Sequence, residues 1–352
     1  SCAGAWPNPR VVVARAHSLA GRELESLAER VLEGDQAAAS RALSLVTDEE
    51  EGCGELLGRL FSRRKRSHKI GLCGPPGSGK SSLLSRMTAG LRARGETVGV
   101  LAVDPTSPFT GGAFLGDRLR VAEHSLDPGV FMRSLASRGM MGGLNPTIFG
   151  AVHVLEACGF DRILIETVGT GQDEVEIVHA VDTVLCVSAP YQGDEFQAMK
   201  AGAMEIADLF VVNKADLADI EKALASLRDA LSLGPQEEKA WKTPVLAVSA
   251  LKAAGIKELL DGADAHREHL AATGEGELRL RAQLRRELSL LLSRRIFRET
   301  LSLIGDEHVD RLVSGKADPD TLVEEISAIK TTTRRNRTDT DKRRTSTASR
   351  SR

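Results

Sequence analysis

The chain has 352 residues, of which 41% are apolar and 27% charged, and a formal net charge of −2. Those are the proportions of a soluble globular protein with one large domain plus appendages, or two modest domains. No run approaches the roughly 18 apolar residues needed to span a bilayer, which excludes a membrane-crossing helix.

Residues 1–20 contain Arg but no acid, the composition of a trimmed organelle-targeting remnant. The expected compartment is a bacterial cytoplasm, or the mitochondrial matrix in a eukaryote. Residues 18–60 read as helix, with Leu19, Leu24, Leu27, Val31 and Leu32 near one face. The basic run "RRKRSHK" that follows reads as a solvated linker.

From "KIGLCG" onward a rhythm sets in. The strand candidates are "TVGVLAVD", "GVFMRSL", "DRILIET", "DTVLCVSA", "LFVVNKAD" and "PVLAVSA". Helix-compatible stretches such as "SSLLSRMTAGLRARG", "PTIFGAVHVLEACG" and "DIEKALASLRDALSL" lie between most of them. Apolar strands alternating with helices predict an α/β fold with a mainly parallel sheet covered on both faces. Ligands bind at the carboxyl ends of such strands, where every motif below falls.

After "PVLAVSA" the pattern becomes helical. Glu277 to Ile304 contains no Gly or Pro and repeats Leu284, Leu288 and Leu291 at i, i+4 and i+7, as a long amphipathic helix does. Two shorter helices are expected next, the last capped by Asp318 with Pro319 at its first position. This appendage packs on its own domain or docks against a second copy. From Lys330 onward the chain is basic and almost free of apolar residues, so a disordered tail is expected; without aromatics, nucleic acid is not the favoured partner. The five cysteines, Cys2, Cys53, Cys73, Cys158 and Cys186, are scattered and read as ordinary thiols of a reducing compartment.

"GPPGSGKSS" fits the phosphate-loop pattern between a strand and a helix: Gly74, Pro75, Pro76, Gly77, Ser78, Gly79, Lys80, Ser81 and Ser82. Its backbone N–H groups curl round phosphate, Lys80 neutralises charge and the Ser81 hydroxyl ligates Mg²⁺. "NKAD" ends another strand, and the Asp216 carboxylate can accept two hydrogen bonds from guanine, which adenine cannot offer. Asn213 holds the loops and the base, the Lys214 stem covers the ring, and Ser249 and Ala250 end the next strand.

Asp104 ends the second strand, and Asp117 and Arg120 follow in a loop rich in Pro, Thr, Ser and Gly. The two acids can ligate Mg²⁺ or orient water, and Arg120 can stabilise developing phosphate charge; a turn or surface role is the alternative for each. "ETVGTGQDE" resembles a DxxG motif with Glu166 in place of Asp: Glu166 reaches Mg²⁺ through a water and Gly169 meets the γ-phosphate. Gln172 stands too late for a Ras-type role. In "APYQGDEFQAMKAG", Asp194, Glu195 and Lys200 pair with switch residues or a partner, or simply open a helix.

"GPPGSGKSSLL", "VDPTSPFTGGAFLGDR", "ETVGTGQDE", "GDEFQAMKAGAMEIADLFVVNKAD" and "VSGKADPDTLVEEI" together resemble the MeaB/ArgK family of G proteins, relatives of the methylmalonic aciduria type A protein. The resemblance covers residues 18–328. It implies a P-loop GTPase fold, with an N-terminal helical extension placed at 1–66, a G domain at 67–272 and a C-terminal helical dimerisation region at 273–328; the basic tail at 329–352 has no counterpart in it. It further implies a GTP-hydrolysing, Mg²⁺-dependent chaperone of an adenosylcobalamin-dependent acyl-CoA mutase, acting as a homodimer, with no membrane partner and no tightly bound organic cofactor of its own. An adenosyltransferase stays open as a further partner.

By that resemblance Lys80 and Ser81 bind phosphate and Mg²⁺, and Asp104, Asp117 and Glu166 form the metal environment. Arg120 belongs to the first switch. Gln192, Asp194, Glu195 and Lys200 belong to a loop that faces the mutase. "PYQGDEF" departs from the family's commoner "PGAGDEL", which puts Tyr191, Gln192 and Phe196 in that loop. The alternatives are a metallocentre-insertion GTPase of the same class and a small-molecule kinase.

Overall fold

The computed structural model describes residues 21–104, 124, 126–136, 147–167, 176–190, 205–233 and 241–327. Seven strands form one sheet: β1 (His68–Cys73), β2 (Val98–Asp104), β3 (Val130–Ala136), β4 (Arg162–Glu166), β5 (Thr183–Ser188), β6 (Leu209–Val212) and β7 (Val245–Ala247). Their order is β3-β2-β4-β1-β5-β6-β7, and every pairing is parallel. β1 is buried along its whole length, as a central parallel strand must be.

The helices are α1 (Gly21–Leu32), α2 (Gln36–Thr47), α3 (Cys53–Phe61), α4 (Lys80–Ala93), α5 (Thr147–Cys158), α6 (Ile220–Leu233), α7 (Ile256–Thr273), α8 (Glu275–Leu301) and α9 (Asp306–Val313). On one sheet face Leu83, Leu84, Met87 and Leu91 of α4 and Ile256, Leu259, Leu260 and Ala263 of α7 meet Ile70, Leu72, Leu164 and Leu185. On this face Gly90 of α4 leaves room for Leu260, whose Cδ1 would lie 2.7 Å from an added Cβ.

The 18–60 region is not one helix. Asp35 accepts from the N–H groups of Ala37 and Ala38 at 2.8 and 3.1 Å and so starts α2, while Gly52, at φ 91°, separates α2 from α3. The three helices pack over α5, whose residues Thr147 to Ala157 are all buried. A helix buried all round needs cover on both sides, here the sheet and the N-terminal helices.

The basic run is a solvated linker only in part: Arg63, Lys65 and Arg66 are exposed, while Lys69 is buried and Arg64 partly so. Arg63 pairs with Glu29 at 2.6 Å, Arg64 with Glu156 at 2.8 Å and Lys65 with Asp161 at 3.4 Å. Lys69 reaches Asp182 at 2.9 Å and Glu156 at 3.6 Å. Arg64 also lies 3.6 Å over the Phe61 ring. The run is a strap of paired charges joining the N-terminal helices to the sheet.

The amino-terminal edge of the sheet holds a buried polar line. Nη1 of Arg162 lies 2.6 Å from His68 Nδ1, His68 Nε2 lies 2.8 Å from Thr183 Oγ1, and Thr183 Oγ1 lies 2.8 Å from His266 Nδ1. Arg162 can only donate, so His68 accepts at Nδ1 and donates from Nε2, and Thr183 donates onward. Nε2 of His266 then faces Asp208 Oδ1 at 3.3 Å, and Arg279 of α8 grips the same carboxylate at 2.6 and 2.8 Å. Burial first, then the Arg162 charge, push His68 down to about 3 against the pull of Asp182.

The chain divides into two compact units, Ser1–Leu284 and Arg285–Arg352. In the second, the helical residues 319–327 begin as expected: Asp318 accepts from the Thr321 N–H at 3.0 Å. Arg311 of α9 forks onto Glu325 at 2.6 and 3.0 Å. Along α8, Leu288, Leu291, Leu292, Ile296, Phe297 and Leu301 are exposed and spread around the helix, so the single apolar face expected of an amphipathic helix is not found. Among the described residues no helix is long and apolar enough to cross a membrane.

Candidate functional site

β1 runs into the phosphate loop and α4 leaves it, so the helix N-terminus and the loop amides face one place. Only glycine fits two of its positions. At Gly74, φ 137°, a Cβ would lie 2.0 Å from the Val187 carbonyl oxygen; at Gly79, φ 87°, it would lie 2.4 Å from Asn213 Nδ2. Lys80 is buried and its Nζ donates to the carbonyls of Gly74 and Pro75 at 2.5 and 3.1 Å. The Ser78 hydroxyl is fully buried and, among the described residues, has no hydrogen-bond partner, a polar atom inside the loop with bonding capacity to spare.

Ser81 and Glu166 meet. The Ser81 hydroxyl donates to Glu166 Oε1 at 2.6 Å across the gap between α4 and β4. Glu166 closes β4 opposite Leu72 of β1 and Ala102 of β2. The backbone puts Asp104, two residues past Ala102, at the same carboxyl edge. Two hard oxygens beside a lysine-capped phosphate loop are a donor set that fits Mg²⁺, which would polarise phosphate oxygens when bound there.

The second loop is equally well fixed. Asn213, buried at the end of β6, donates from Nδ2 to the Ser78 and Gly79 carbonyls at 2.9 and 3.3 Å and accepts from the Ala250 N–H at 3.1 Å. One side chain thus joins the phosphate loop to the loop after β7. Lys214, at φ 60°, donates from Nζ to the Gly77 carbonyl at 2.8 Å, laying its stem along the cleft. The Ser249 hydroxyl donates to Asp216 Oδ1 and accepts from the Lys252 N–H at 3.2 Å. That bond, then one from its own backbone and the charge of Lys252, hold the Asp216 carboxyl below the usual range.

Asp117, Arg120, Gly169, Gln172, Tyr191, Gln192, Asp194, Glu195, Phe196 and Lys200 lie outside the described residues. Two residues to which no motif assigns a role also hold the site, Thr167 at a variable position of the "ETVG" stretch and Arg86 outside any motif. Thr167 sends both its N–H and its hydroxyl to the Leu72 carbonyl, at 3.1 and 3.2 Å, locking the end of β4 beside the phosphate loop. Arg86 of α4 donates to the Ala250 carbonyl at 3.0 Å. Each acts through a backbone carbonyl far away in the chain, which leaves no local spacing to read.

The profile of the family described as "Methylmalonyl Co-A mutase-associated GTPase MeaB" matches residues 39–302. A protein of Pyrococcus abyssi, provisionally named a GTPase, is 44% identical over 272 residues, covering 77% of this chain and 84% of that protein. The mitochondrial methylmalonic aciduria type A homolog of Mus musculus is 33% identical over 271 residues, covering 72% of this chain and 65% of that protein. Among solved structures, one titled a LAO/AO transport system kinase is similar with a TM-score of 0.66 and 24% identity, covering 88% of this chain and 98% of that one; it supports the fold alone. With a phosphate loop, a Ser–Glu oxygen pair and an Asn-Lys-x-Asp loop on one parallel sheet, the chain belongs to the MeaB family of P-loop G proteins associated with methylmalonyl-CoA mutase.

Proposed function

We propose that the chain is a Mg²⁺-dependent GTPase. It gates cobalamin loading of an adenosylcobalamin-dependent acyl-CoA mutase, methylmalonyl-CoA mutase or a related enzyme, and protects or reactivates it. The observation that carries the GTP reading is the Asp216 carboxylate, oriented by Ser249 in a loop that Asn213 ties to the phosphate loop. A carboxylate so held accepts from the N1–H and 2-amino groups of guanine; with adenine it would be left unpaired. The mutase reading rests on family membership.

In this reading Lys80 and the loop amides neutralise the β and γ phosphates, and Ser81 and Glu166 supply oxygens to the metal site with Asp104 and Asp117. Arg120 stabilises charge on the transferred group and Gly169 meets the γ-phosphate. Gln192, Asp194, Glu195 and Lys200 face the mutase. The exposed leucines of α8 support a homodimer. A metallocentre-insertion role has no comparable support: among the described residues no three His, Cys, Asp or Glu side chains converge as metal ligands.

The test is steady-state hydrolysis of GTP and of ATP, each with and without purified cobalamin-dependent mutases. GTP is expected to be turned over in strong preference to ATP, and a cognate mutase to accelerate it. Equal use of ATP would overturn the guanine reading; a selective GTPase that no mutase accelerates or binds would overturn the chaperone reading.

A further inference from the structure

We infer that Arg86 is a positioning residue for guanine recognition, tying the base-reading loop to the helix that binds phosphate. The inference rests on the nucleotide reading above and deepens it. α4 opens with Lys80 and Ser81 at the phosphate end, and Arg86 follows six residues later, about 9 Å along the helix axis. There its Nε donates to the carbonyl oxygen of Ala250 at 3.0 Å. Arg86 is half-buried, and among the described residues no carboxylate pairs with it. Its charge is committed to a backbone carbonyl, a bond stronger than one between neutral groups.

That carbonyl sits at a sensitive place. The Ala250 N–H is already held by Asn213 at 3.1 Å, so the two polar groups of one residue are anchored from opposite sides. The preceding residue, Ser249, orients the Asp216 carboxylate through its hydroxyl. The following residue, Leu251, is 79% exposed, so beyond Ala250 the loop has water rather than protein on its outer side. Ser249 and Ala254 exchange both backbone bonds, at 3.0 and 3.1 Å, which closes the loop into a small unit. Arg86 and Asn213 together set where that unit stands, and hence where Asp216 points, relative to the phosphates. α4 acts as a ruler with a phosphate end and a base end.

Without the Arg86 donor the loop keeps the Asn213 bond to Ala250 and the Ser249 bond to Asp216, but nothing ties the Ala250 carbonyl to α4, and the cost falls on reading the base rather than on chemistry at the phosphate. Arg86→Met keeps the packed stem and removes the donor; Arg86→Lys returns a charge without the planar fork. Equilibrium binding of GDP, inosine diphosphate and ADP is measured for the wild-type chain and both variants, with KM and kcat for GTP and the thermal midpoint. Arg86→Met is expected to weaken GDP binding about tenfold, to narrow the gap between GDP and inosine diphosphate, and to raise KM more than it lowers kcat. Arg86→Lys should restore part of each. An Arg86→Met protein with wild-type affinity and discrimination overturns the inference. So does a uniform loss for all three nucleotides that tracks a lowered thermal midpoint, because that pattern marks a structural role. A wild-type chain that binds ADP as well as GDP would overturn the guanine reading itself, a result separate from either variant's.

Discussion

Asp216 carries its negative charge in a fixed direction because Ser249 donates to one of its carboxylate oxygens. Asp216→Asn exchanges an acceptor for a donor, so the pocket should then prefer a base that offers a carbonyl at the 2-position. GTP affinity is expected to fall about a hundredfold and xanthosine triphosphate affinity to rise, read by competition with a fluorescent nucleotide. Unchanged GTP affinity would show that this carboxylate does not touch the base. The motif residues of both loops were legible because their chemistry needs them close in sequence: Lys80 and Ser81 follow Gly79, and Asp216 follows Asn213 by three. The meeting of Ser81 with Glu166 was expected only as a shared metal environment, and the direct 2.6 Å bond is new. Thr167 and Arg86 were not legible, because what selects them is a carbonyl brought near by folding.

At the scale of elements, strands showed clearly in the sequence because parallel strands buried on both faces are continuous apolar runs. The N-terminal helices did not separate, since their apolar periodicity runs on through two turns whose punctuation, Gly34-Asp35 and Gly52, is easily lost in a helical run. The strap of basic residues looked like solvent-facing charge because its acids come from α1, α5 and the turns before β4 and β5. Its innermost acid is Glu156 of α5. Burial would raise its carboxyl, but His153, whose Nδ1 lies 3.7 Å away, with Lys69 and Arg64, outweighs this and holds it at about 2 against an ordinary 4.5. A depressed carboxyl stabilises the fold above its unfolded pKa and loses that contribution as pH falls through the folded one. The Glu156 contribution, roughly 3 kcal/mol, should therefore be intact at pH 6 and vanish between about 4.5 and 2. His68, depressed from 6.5 to about 3, adds acid lability in the window between those values, because the unfolded chain takes up a proton that the folded chain refuses. Denaturant midpoints across pH should show Glu156→Gln destabilised near neutrality, with its gap to wild type closing below about pH 4. A gap independent of pH would show that Glu156 acts by shape alone.

For the whole molecule, the exposed apolar residues of α8 are the feature with most at stake. Leu288, Leu292 and Phe297 are 68%, 59% and 61% exposed, an arrangement that water does not favour along a helix of 27 residues. Sedimentation should find a dimer, and Leu288→Lys with Leu292→Lys should shift it to monomer while the separate nucleotide loops still bind GDP. A monomeric wild type would overturn the homodimer proposal.

The full burial of α5 has a consequence for synthesis. α1, α2 and α3 leave the ribosome before any of the seven strands described, and α1 can close on α2 and α3 at once. Yet the helix that fills their remaining apolar face ends at Cys158, nearly a hundred residues after α3 ends at Phe61. Until then the emerging three-helix piece carries an uncovered greasy surface, so the time between translating Phe61 and Cys158 is when this chain most needs a holding chaperone of its own.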